Sequence, residues 1–300
     1  MKQVNGLSLE SIKKIYYEND KFLKVNFMSN QSLFLSDVYK TYFNDIYAAN
    51  IILYFSKNFH EKILRKRDFI LDFNISLESF WENQNDFKID SKVANISKDL
   101  NLPRETTRRK IKELIKGNVL KKNGSSFVWD HPFKNKKKFN NIYESQINTI
   151  SKFILLLARE LGYETNIENI QLEIKKNFSF FWFHFLQSEL KYLKIWQNNL
   201  GDLELLILSI ECFMQCKNPK QQINTSMITK FTGIPRATCI RKIKTLAKKK
   251  IIKKDFSTGK YYFDFESLSN PFMNKEIDIK VVDVFCEFLL IISQLINKKS

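Results

Sequence analysis

The amino-acid sequence contains two copies of one segment, and this repeat restricts the fold more than any other feature. Residues 96–122 align without gaps with residues 228–254, at an offset of 132, and 13 of the 27 positions are identical. The identical pairs include Pro103/Pro235, Arg104/Arg236, Thr106/Thr238, Arg109/Arg241, Ile111/Ile243 and Leu114/Leu246. Self-similarity at one spacing indicates that a single supersecondary unit occurs twice. The chain must therefore form two related modules.

Weaker matches on both sides extend the repeat, for example Phe80 with Phe213 and Pro132 with Pro271. They predict three parts: an N-terminal extension over residues 1–30, a first module over residues 31–163 and a second module over residues 164–300. In each module a long amphipathic helix and a shorter helix precede the most similar segment. The long helices are predicted at about 32–66 and 167–199, and the shorter ones at about 69–83 and 202–216.

The most similar segment predicts two helices joined by a tight turn, at about 91–116 in the first copy and 224–248 in the second. Pro103 and Pro235 suit the first turn of the second helix, where a missing N–H is tolerated. In each copy, residues at spacings of four and three form one inward stripe, which predicts the buried face of that helix. These stripes are Thr107, Ile111 and Leu114 in the first copy, and Cys239, Ile243 and Leu246 in the second.

A β-hairpin is predicted after each helix pair, over 119–129 and 251–263. In the first copy Asn123-Gly124 is a strong signal for a two-residue turn between strands. In the second copy Ser257-Thr258-Gly259 forms the turn, and Lys260 to Phe263 forms the returning strand.

The composition favours a mainly α-helical protein and gives little support for catalysis. Only 7 Gly and 5 Pro occur in 300 residues, and the Gly-rich phosphate-binding motifs are missing from the sequence. The 3 histidines lack metal-binding or catalytic spacing, and the 4 cysteines form no CxxC pair. We therefore expect no enzymatic activity, no catalytic residues, no metal and no cofactor.

The sequence also lacks an uninterrupted apolar run of the length that a membrane span needs, and its first residues do not resemble a signal peptide. We therefore expect a cytoplasmic protein with reduced thiols and no membrane partner.

Positive charge is concentrated at the repeat. The formal net charge is +17, and 5 of the 8 arginines lie within 103–116 and 235–248. Frequent Lys, Asn, Ile and Phe are typical of AT-rich coding, which accounts for part of the lysine excess but not for clustered arginines. Their planar guanidinium groups suit phosphate or guanine recognition.

The segment from Ile234 to Leu246 with Ile251-Ile252, and its counterpart from Leu102 to Leu120, resemble the recognition-helix signature of bacterial winged helix-turn-helix regulators, with the MarR-like group nearest. The resemblance covers about 60 residues in each copy. One departure is that the glycine before the wing strand is displaced to Gly117 in the first copy and replaced by Lys249 or Lys250 in the second. The resemblance implies two tandem winged-helix modules, each with helices and a small β-hairpin wing. Long amphipathic helices would join them into a pseudo-dimer.

The resemblance also implies which side chains contact DNA. On the recognition helices these are Arg104, Glu105, Thr106, Arg108, Arg109 and Lys112 in the first copy, and Arg236, Thr238, Ile240, Arg241 and Lys244 in the second. On the wings, phosphate contacts are expected from Lys121, Lys122, Asn123, Lys253, Lys254 and Lys260. Arginine can bind guanine O6 and N7 together, whereas Ile240 can only contact a thymine methyl group or pack. The two copies are therefore expected to read different half-sites.

Regulators of this kind usually dimerise so that two recognition helices meet successive faces of the major groove. Because this chain contains two such helices, we expect a monomer that acts as a pseudo-dimer. Its buried seam would include Phe178, Phe180, Phe181, Trp182 and Phe185.

The predicted function is sequence-specific binding of double-stranded DNA by a transcription regulator. Three alternatives stay open: a replication initiator of plasmid or phage type, a winged-helix scaffold subunit that binds other proteins, and an RNA-binding protein. The sequence lacks the exposed aromatic pattern and the glycine loop of two common RNA-binding folds, but these absences do not dismiss RNA binding.

Overall fold

The computed structural model describes residues 7–67, 75–82, 89–129, 136–216 and 221–297, and within these ranges the chain is mainly helical, as predicted. The helices are α1 (Leu9–Glu18), α2 (Asp20–Thr41), α3 (Ile46–Arg67), α4 (Val93–Asp99), α5 (Arg104–Lys116), α6 (Lys136–Glu160), α7 (Ile167–Lys176), α8 (Phe178–Leu200), α9 (Leu203–Gln215), α10 (Thr225–Thr232), α11 (Arg236–Lys248) and α12 (Lys275–Asn297). The strands are β1 (Asp90–Ser91), β2 (Leu120–Asn123), β3 (Ser126–Trp129), β4 (Ile252–Lys254) and β5 (Tyr261–Phe263).

The strands form two small antiparallel sheets. One has the order β1-β3-β2, with Ser91 opposite Phe127 and Leu120 opposite Trp129. The other consists of β4 and β5, with Ile252 opposite Phe263.

The chain divides into two compact units that interleave in sequence. Unit 1 comprises Met1–Glu18, Asn50–Lys191 and Val284–Ser300, and unit 2 comprises Asn19–Ala49 and Tyr192–Asp283. The modules predicted over 31–163 and 164–300 follow the sequence repeat, and the boundary between them does not coincide with this division. The modules remain a prediction about duplication, whereas the units describe how the chain packs.

Unit 1 has an aromatic core to which both halves of the sequence contribute. Helix α7 packs along α6. The ring centroid of Phe178, at the start of α8, lies 5.1 Å from that of Phe80 and 4.9 Å from that of Tyr143. Burial raises the pKa of Tyr143 well above its usual value. Four residues of the predicted aromatic seam, Phe178, Phe181, Trp182 and Phe185, are buried in this unit, and Phe180 is half-buried.

Unit 2 is built around α2 and α9, which pack along each other, with α10 also against α2. The interface contains a buried polar contact in which the Ser32 hydroxyl donates to the Glu211 carboxylate. Burial raises the pKa of Glu211 above its ordinary value, since the charged form is poorly solvated there. Elsewhere in the unit Trp196 stacks on Phe272 with ring centroids 4.2 Å apart.

The long helix predicted at 32–66 is wrong as a single element, because the chain breaks between α2 and α3. Phe43 and Asn44 have φ of 61° and 55°, in the left-handed region that a helix cannot contain. Asp45 then begins α3, since its carboxylate accepts the backbone N–H groups of Tyr47 and Ala48, both at 2.9 Å. This is an N-cap interaction, which stabilises the start of the second helix.

The long helix predicted at 167–199 is wrong in the same way, because α7 ends at Lys176 and α8 starts at Phe178. The Ser179 N–H, which would bond the Lys175 carbonyl in a continuous helix, instead bonds the Ile75 carbonyl at 3.2 Å, and the Lys175 carbonyl accepts from Leu77 at 2.9 Å.

The helix predicted at 69–83 lies partly outside the described residues, and residues 75–82 form turns instead. Their backbone pairs with another segment of unit 1: Leu77 donates to the Lys175 carbonyl at 2.9 Å, and the Ile75 carbonyl accepts from Ser179 at 3.2 Å. The companion helix predicted at 202–216 is confirmed as α9.

The two copies of the repeat share left-handed residues at equivalent positions. Asn101 and Gly233 have φ of 52° and 79°, and Asn118 and Lys250 have φ of 55° and 57°. Each lies just beyond a helix, where a left-handed residue allows a following N–H to reach back to the last carbonyls. At Lys250 the side chain makes this conformation unfavourable, because Cβ approaches the next carbonyl oxygen.

Replacing Lys250 with glycine should therefore stabilise the protein. We expect Lys250→Gly to raise the free energy of unfolding by about 1 kcal/mol, measured by urea denaturation. The control Lys248→Gly removes the same charge from the last turn of α11 and should lower it by roughly 0.5–1 kcal/mol. Equal effects of the two substitutions would contradict a specific strain at Lys250.

Candidate nucleic-acid interface

Each unit contains two helices followed by a β-hairpin. In the first copy β1, α4, α5, β2 and β3 lie in unit 1, and in the second copy α10, α11, β4 and β5 lie in unit 2. The second copy has no strand equivalent to β1 among its described residues. It does have a single backbone bond at the same place, from Ile223 to the Tyr261 carbonyl at 2.8 Å. The sequence did not predict β1, because Asp90 and Ser91 are a two-residue strand with no recognisable pattern.

The predicted helix pairs are present. Helix α4 starts at Val93, slightly later than expected because β1 takes the preceding residues, and α10 spans Thr225–Thr232. Pro103 and Pro235 are N-cap residues and not the first helical residues as predicted, since their φ and ψ are non-helical. Their carbonyls accept the first helical bonds, from Thr107 and Cys239, both at 2.9 Å.

The inward stripes of α5 and α11 are confirmed. All six predicted residues are buried: Thr107, Ile111, Leu114, Cys239, Ile243 and Leu246. Burial of these side chains fixes the rotation of each helix about its own axis. The opposite face of each helix is therefore exposed to solvent.

The exposed faces carry the predicted recognition residues. Of those residues, Thr106 and Thr238 are half-buried at the edge of the face. The others are exposed: Arg104, Glu105, Arg108, Arg109 and Lys112 on α5, and Arg236, Ile240, Arg241 and Lys244 on α11. Each helix thus presents several cationic side chains on one side over about two turns.

The two faces differ in charge and chemistry. On α5 the Arg108 guanidinium forms an ion pair with the Glu105 carboxylate, so this face carries one negative charge among its cations. The equivalent positions on α11 are Ile240 and Ala237, which are apolar. A carboxylate can accept from the cytosine amino group, whereas an isoleucine can only contact a methyl group or pack.

One cation of each helix points inward, which the sequence pattern did not predict. Lys110 and Lys242 occupy equivalent positions and are both 9% exposed. Lys242 forms ion pairs with Asp202 and, at 2.6 Å, with Glu204 at the start of α9. The only available signal was that lysine recurs at this repeat position, one residue before the buried Ile111 and Ile243.

Asp202 links this ion pair to two further helices, α9 and α3. Its carboxylate caps α9 by accepting from the Glu204 backbone at 2.9 Å, and the Tyr47 hydroxyl lies 3.5 Å away as a donor. Burial, with the negative charge of Asp202 as the next cause, raises the pKa of Tyr47 to about 12. Lys242 therefore anchors α11 from its buried side, through a network that involves α3 and α9.

The first wing differs from its prediction by one residue. Asn123 pairs with Ser126, so the two turn residues are Gly124 and Ser125 instead of Asn123-Gly124. Gly124 has φ of 57°, which glycine adopts without strain. The Ser126 hydroxyl donates to Asp90 at 3.0 Å and so ties the hairpin to β1. The predicted contact residues Lys121, Lys122 and Asn123 are exposed.

The second wing has a longer loop, from Asp255 to Lys260, between β4 and β5. The Asp255 carboxylate accepts from the Ser257 hydroxyl at 2.6 Å and the Ser257 N–H at 2.8 Å. These bonds lower the pKa of Asp255 to about 2. The predicted residues Lys253, Lys254 and Lys260 are exposed, and Lys253 forms an ion pair with Glu266 at 3.1 Å.

The described histidines and the cysteines lie in packed surroundings. His60 is buried against Phe80, and burial lowers the pKa of His184 to about 4. The four cysteines are buried and form no disulfide bonds, and burial raises the pKa of Cys212, Cys216 and Cys239. His131 lies outside the described residues. Where the structure describes the chain, no group of three or more His, Cys, Asp or Glu side chains could hold a metal ion.

No helix in the described ranges has both the length and the apolar surface needed to cross a membrane. In comparisons with known proteins, no family model matches the chain, and neither a curated protein nor a solved structure matches it.

The inward lysine of α11 should matter for stability, unlike its exposed neighbours. Lys242→Met leaves two carboxylates without their cation, so we expect a loss of about 1–3 kcal/mol in the free energy of unfolding. Lys244→Met, a matched change on the exposed face, should stay within about 0.5 kcal/mol of the original protein. Urea denaturation monitored by circular dichroism measures both. If Lys242→Met were as mild as Lys244→Met, the anchoring role would be wrong.

Proposed function

We propose that this protein binds double-stranded DNA sequence-specifically through two winged helix-turn-helix modules and acts as a transcription regulator without enzymatic activity. The main support is one observation: both units present the same helix, turn, helix and hairpin, with cations on the exposed face of the second helix. A single basic helix would be weak support, since many exposed helices carry lysine. Recurrence of the whole arrangement is harder to attribute to composition.

The cations of the helices and those of the wings would have different roles on DNA. Arginines at the start of α5 and α11, Arg104 and Arg236, would enter the major groove with Arg109 and Arg241, where a guanidinium can bind guanine bidentately. The exposed wing lysines would bind phosphates, which set affinity and orientation but not sequence preference.

The two half-sites would differ. The Glu105–Arg108 pair on α5 corresponds to Ala237 and Ile240 on α11, so identical sequences cannot satisfy both helices. We propose that one polypeptide supplies both modules and reads an asymmetric site as a pseudo-dimer. The winged-helix regulators that the sequence resembles usually need two chains for this purpose.

Protein docking is a second candidate function, and one surface difference favours it. In the second copy Met227 and Phe231 on α10 are 58% and 42% exposed. The equivalent residues of the first copy, Asn95 and Asp99, are polar. An apolar surface on only one copy is consistent with a scaffold subunit that uses this module to bind another protein. Replication initiation, another alternative, would be separated from regulation by a DNA site with repeated copies near an origin instead of one near a promoter.

The DNA-binding proposal is tested by removing arginines from one module at a time. Arg104→Ala with Arg109→Ala, and Arg236→Ala with Arg241→Ala, should each weaken binding by about 1–3 kcal/mol for every arginine that bonds a base. For every arginine that instead neutralises a phosphate, the slope of log K against log salt should fall by about 0.9. Fluorescence anisotropy with a labelled duplex of about 40 base pairs, long enough for two half-sites, measures both quantities.

The control is Lys137→Ala with Lys138→Ala, which removes the same charge from exposed positions at the start of α6. It should leave both affinity and salt slope nearly unchanged. Equal behaviour of the arginine variants and this control would rule out the proposed faces. If a protein partner were then retained by all variants, the scaffold function would be favoured.

A further inference from the structure

The second wing carries an aromatic side chain at its tip. Phe256 is 93% exposed, in the loop between β4 and β5. Single exposed apolar residues are common on protein surfaces, so exposure alone indicates nothing. Three further features distinguish Phe256: how the loop is held, what flanks it, and its absence from the other copy.

Hydrogen bonds hold the loop in a defined shape around the ring. The Asp255 N–H donates to the Lys260 carbonyl and the Gly259 N–H donates to the Asp255 carbonyl, both at 2.8 Å. The Asp255 side chain adds further bonds: its carboxylate accepts from the Ser257 N–H at 2.8 Å and from the Thr258 N–H at 3.3 Å. The loop backbone is therefore preorganised, so presenting Phe256 to a partner requires little further ordering of the backbone.

Cations flank the loop segment that carries the ring. Lys254 is the last residue of β4, Lys260 is the last residue of the loop, and both are exposed. An apolar ring between two cations suits a partner that has a negatively charged backbone and stacked apolar planes, which describes duplex DNA. The first wing turns through Gly124 and Ser125, so it offers no apolar side chain at this place.

We propose that Phe256 is a wedge that enters the minor groove and inserts between base pairs beside the half-site bound by α11. This inference rests on the DNA binding proposed above and adds a base-unstacking role that only the second copy has. Phenylalanine and other apolar side chains unstack base steps and kink DNA towards the major groove. Pyrimidine–purine steps such as TA and CA/TG are the easiest to unstack. The second half-site is therefore bent and prefers such a step, whereas the first is not bent by its wing.

The test measures bending and unstacking with three variants of the full chain. The probe is a duplex of about 40 base pairs that the wild-type protein enriches from a randomised library. It carries a donor and an acceptor dye at its ends, and 2-aminopurine replaces adenine at the pyrimidine–purine step beside the second half-site. Phe256→Ser removes the wedge, Phe256→Leu keeps an apolar wedge, and Leu268→Ser changes an equally exposed residue, 90% accessible, outside the wing.

We expect wild-type binding to raise both energy transfer and 2-aminopurine fluorescence. Phe256→Ser should abolish both changes and weaken binding roughly tenfold, as expected for the removal of one stacking side chain. Phe256→Leu should keep most of the effect, and Leu268→Ser should behave as the wild type. Thermal unfolding of the variants should match the wild type, because the exposed ring makes no contribution to the core.

Two results would overturn the wedge. If Phe256→Ser bound the duplex with unchanged energy transfer and 2-aminopurine signal, the wedge would be wrong while DNA binding stood. If the wild-type protein enriched no duplex and bound none, both the wedge and the proposed function would be wrong.

Discussion

Three buried positions on α5 and three on α11, at spacings of four and three residues, determine which side of each helix meets solvent. Burial of an isoleucine or leucine side chain stabilises a fold by about 1.5–3 kcal/mol, so the rotation of each helix is strongly fixed. In the second copy Lys242 adds a polar anchor on the same buried side, through Asp202 and Glu204. This orientation turns the basic face of each helix towards solvent.

Differences between the copies are as informative as their identity. The framework is shared: corresponding helices are followed by left-handed residues at Asn101 and Gly233, and again at Asn118 and Lys250. What differs lies on the surface, where the Glu105–Arg108 pair is replaced by apolar residues and a two-residue turn is replaced by the longer loop with Phe256. A duplicated framework with diverged surface residues is expected when two modules must recognise two different surfaces.

Sequence patterns predicted the elements that depend on local chemistry. The helix pairs, their buried stripes and the exposed cations all follow from helical spacing, and the structure has them. The breaks at Asn44 and Asn177 were missed because the apolar pattern continues across them. The first depends on two left-handed residues, and the second on backbone pairing with Ile75 and Leu77, which are distant in sequence. The turns over residues 75–82 were missed because their backbone pairs with residues nearly a hundred positions away. The interleaved units were beyond prediction for the same reason, since packing between distant segments leaves no local signal.

The central claim is that two unlike modules of one chain read DNA. Its most direct test is selection of the purified protein against a randomised duplex library at about 0.15 M salt, where counterion release weakens nonspecific attraction to phosphates. We predict enrichment of one asymmetric motif, with two unlike half-sites about one helical turn apart. Retention of no duplex, or of duplexes without any common motif, would contradict the claim.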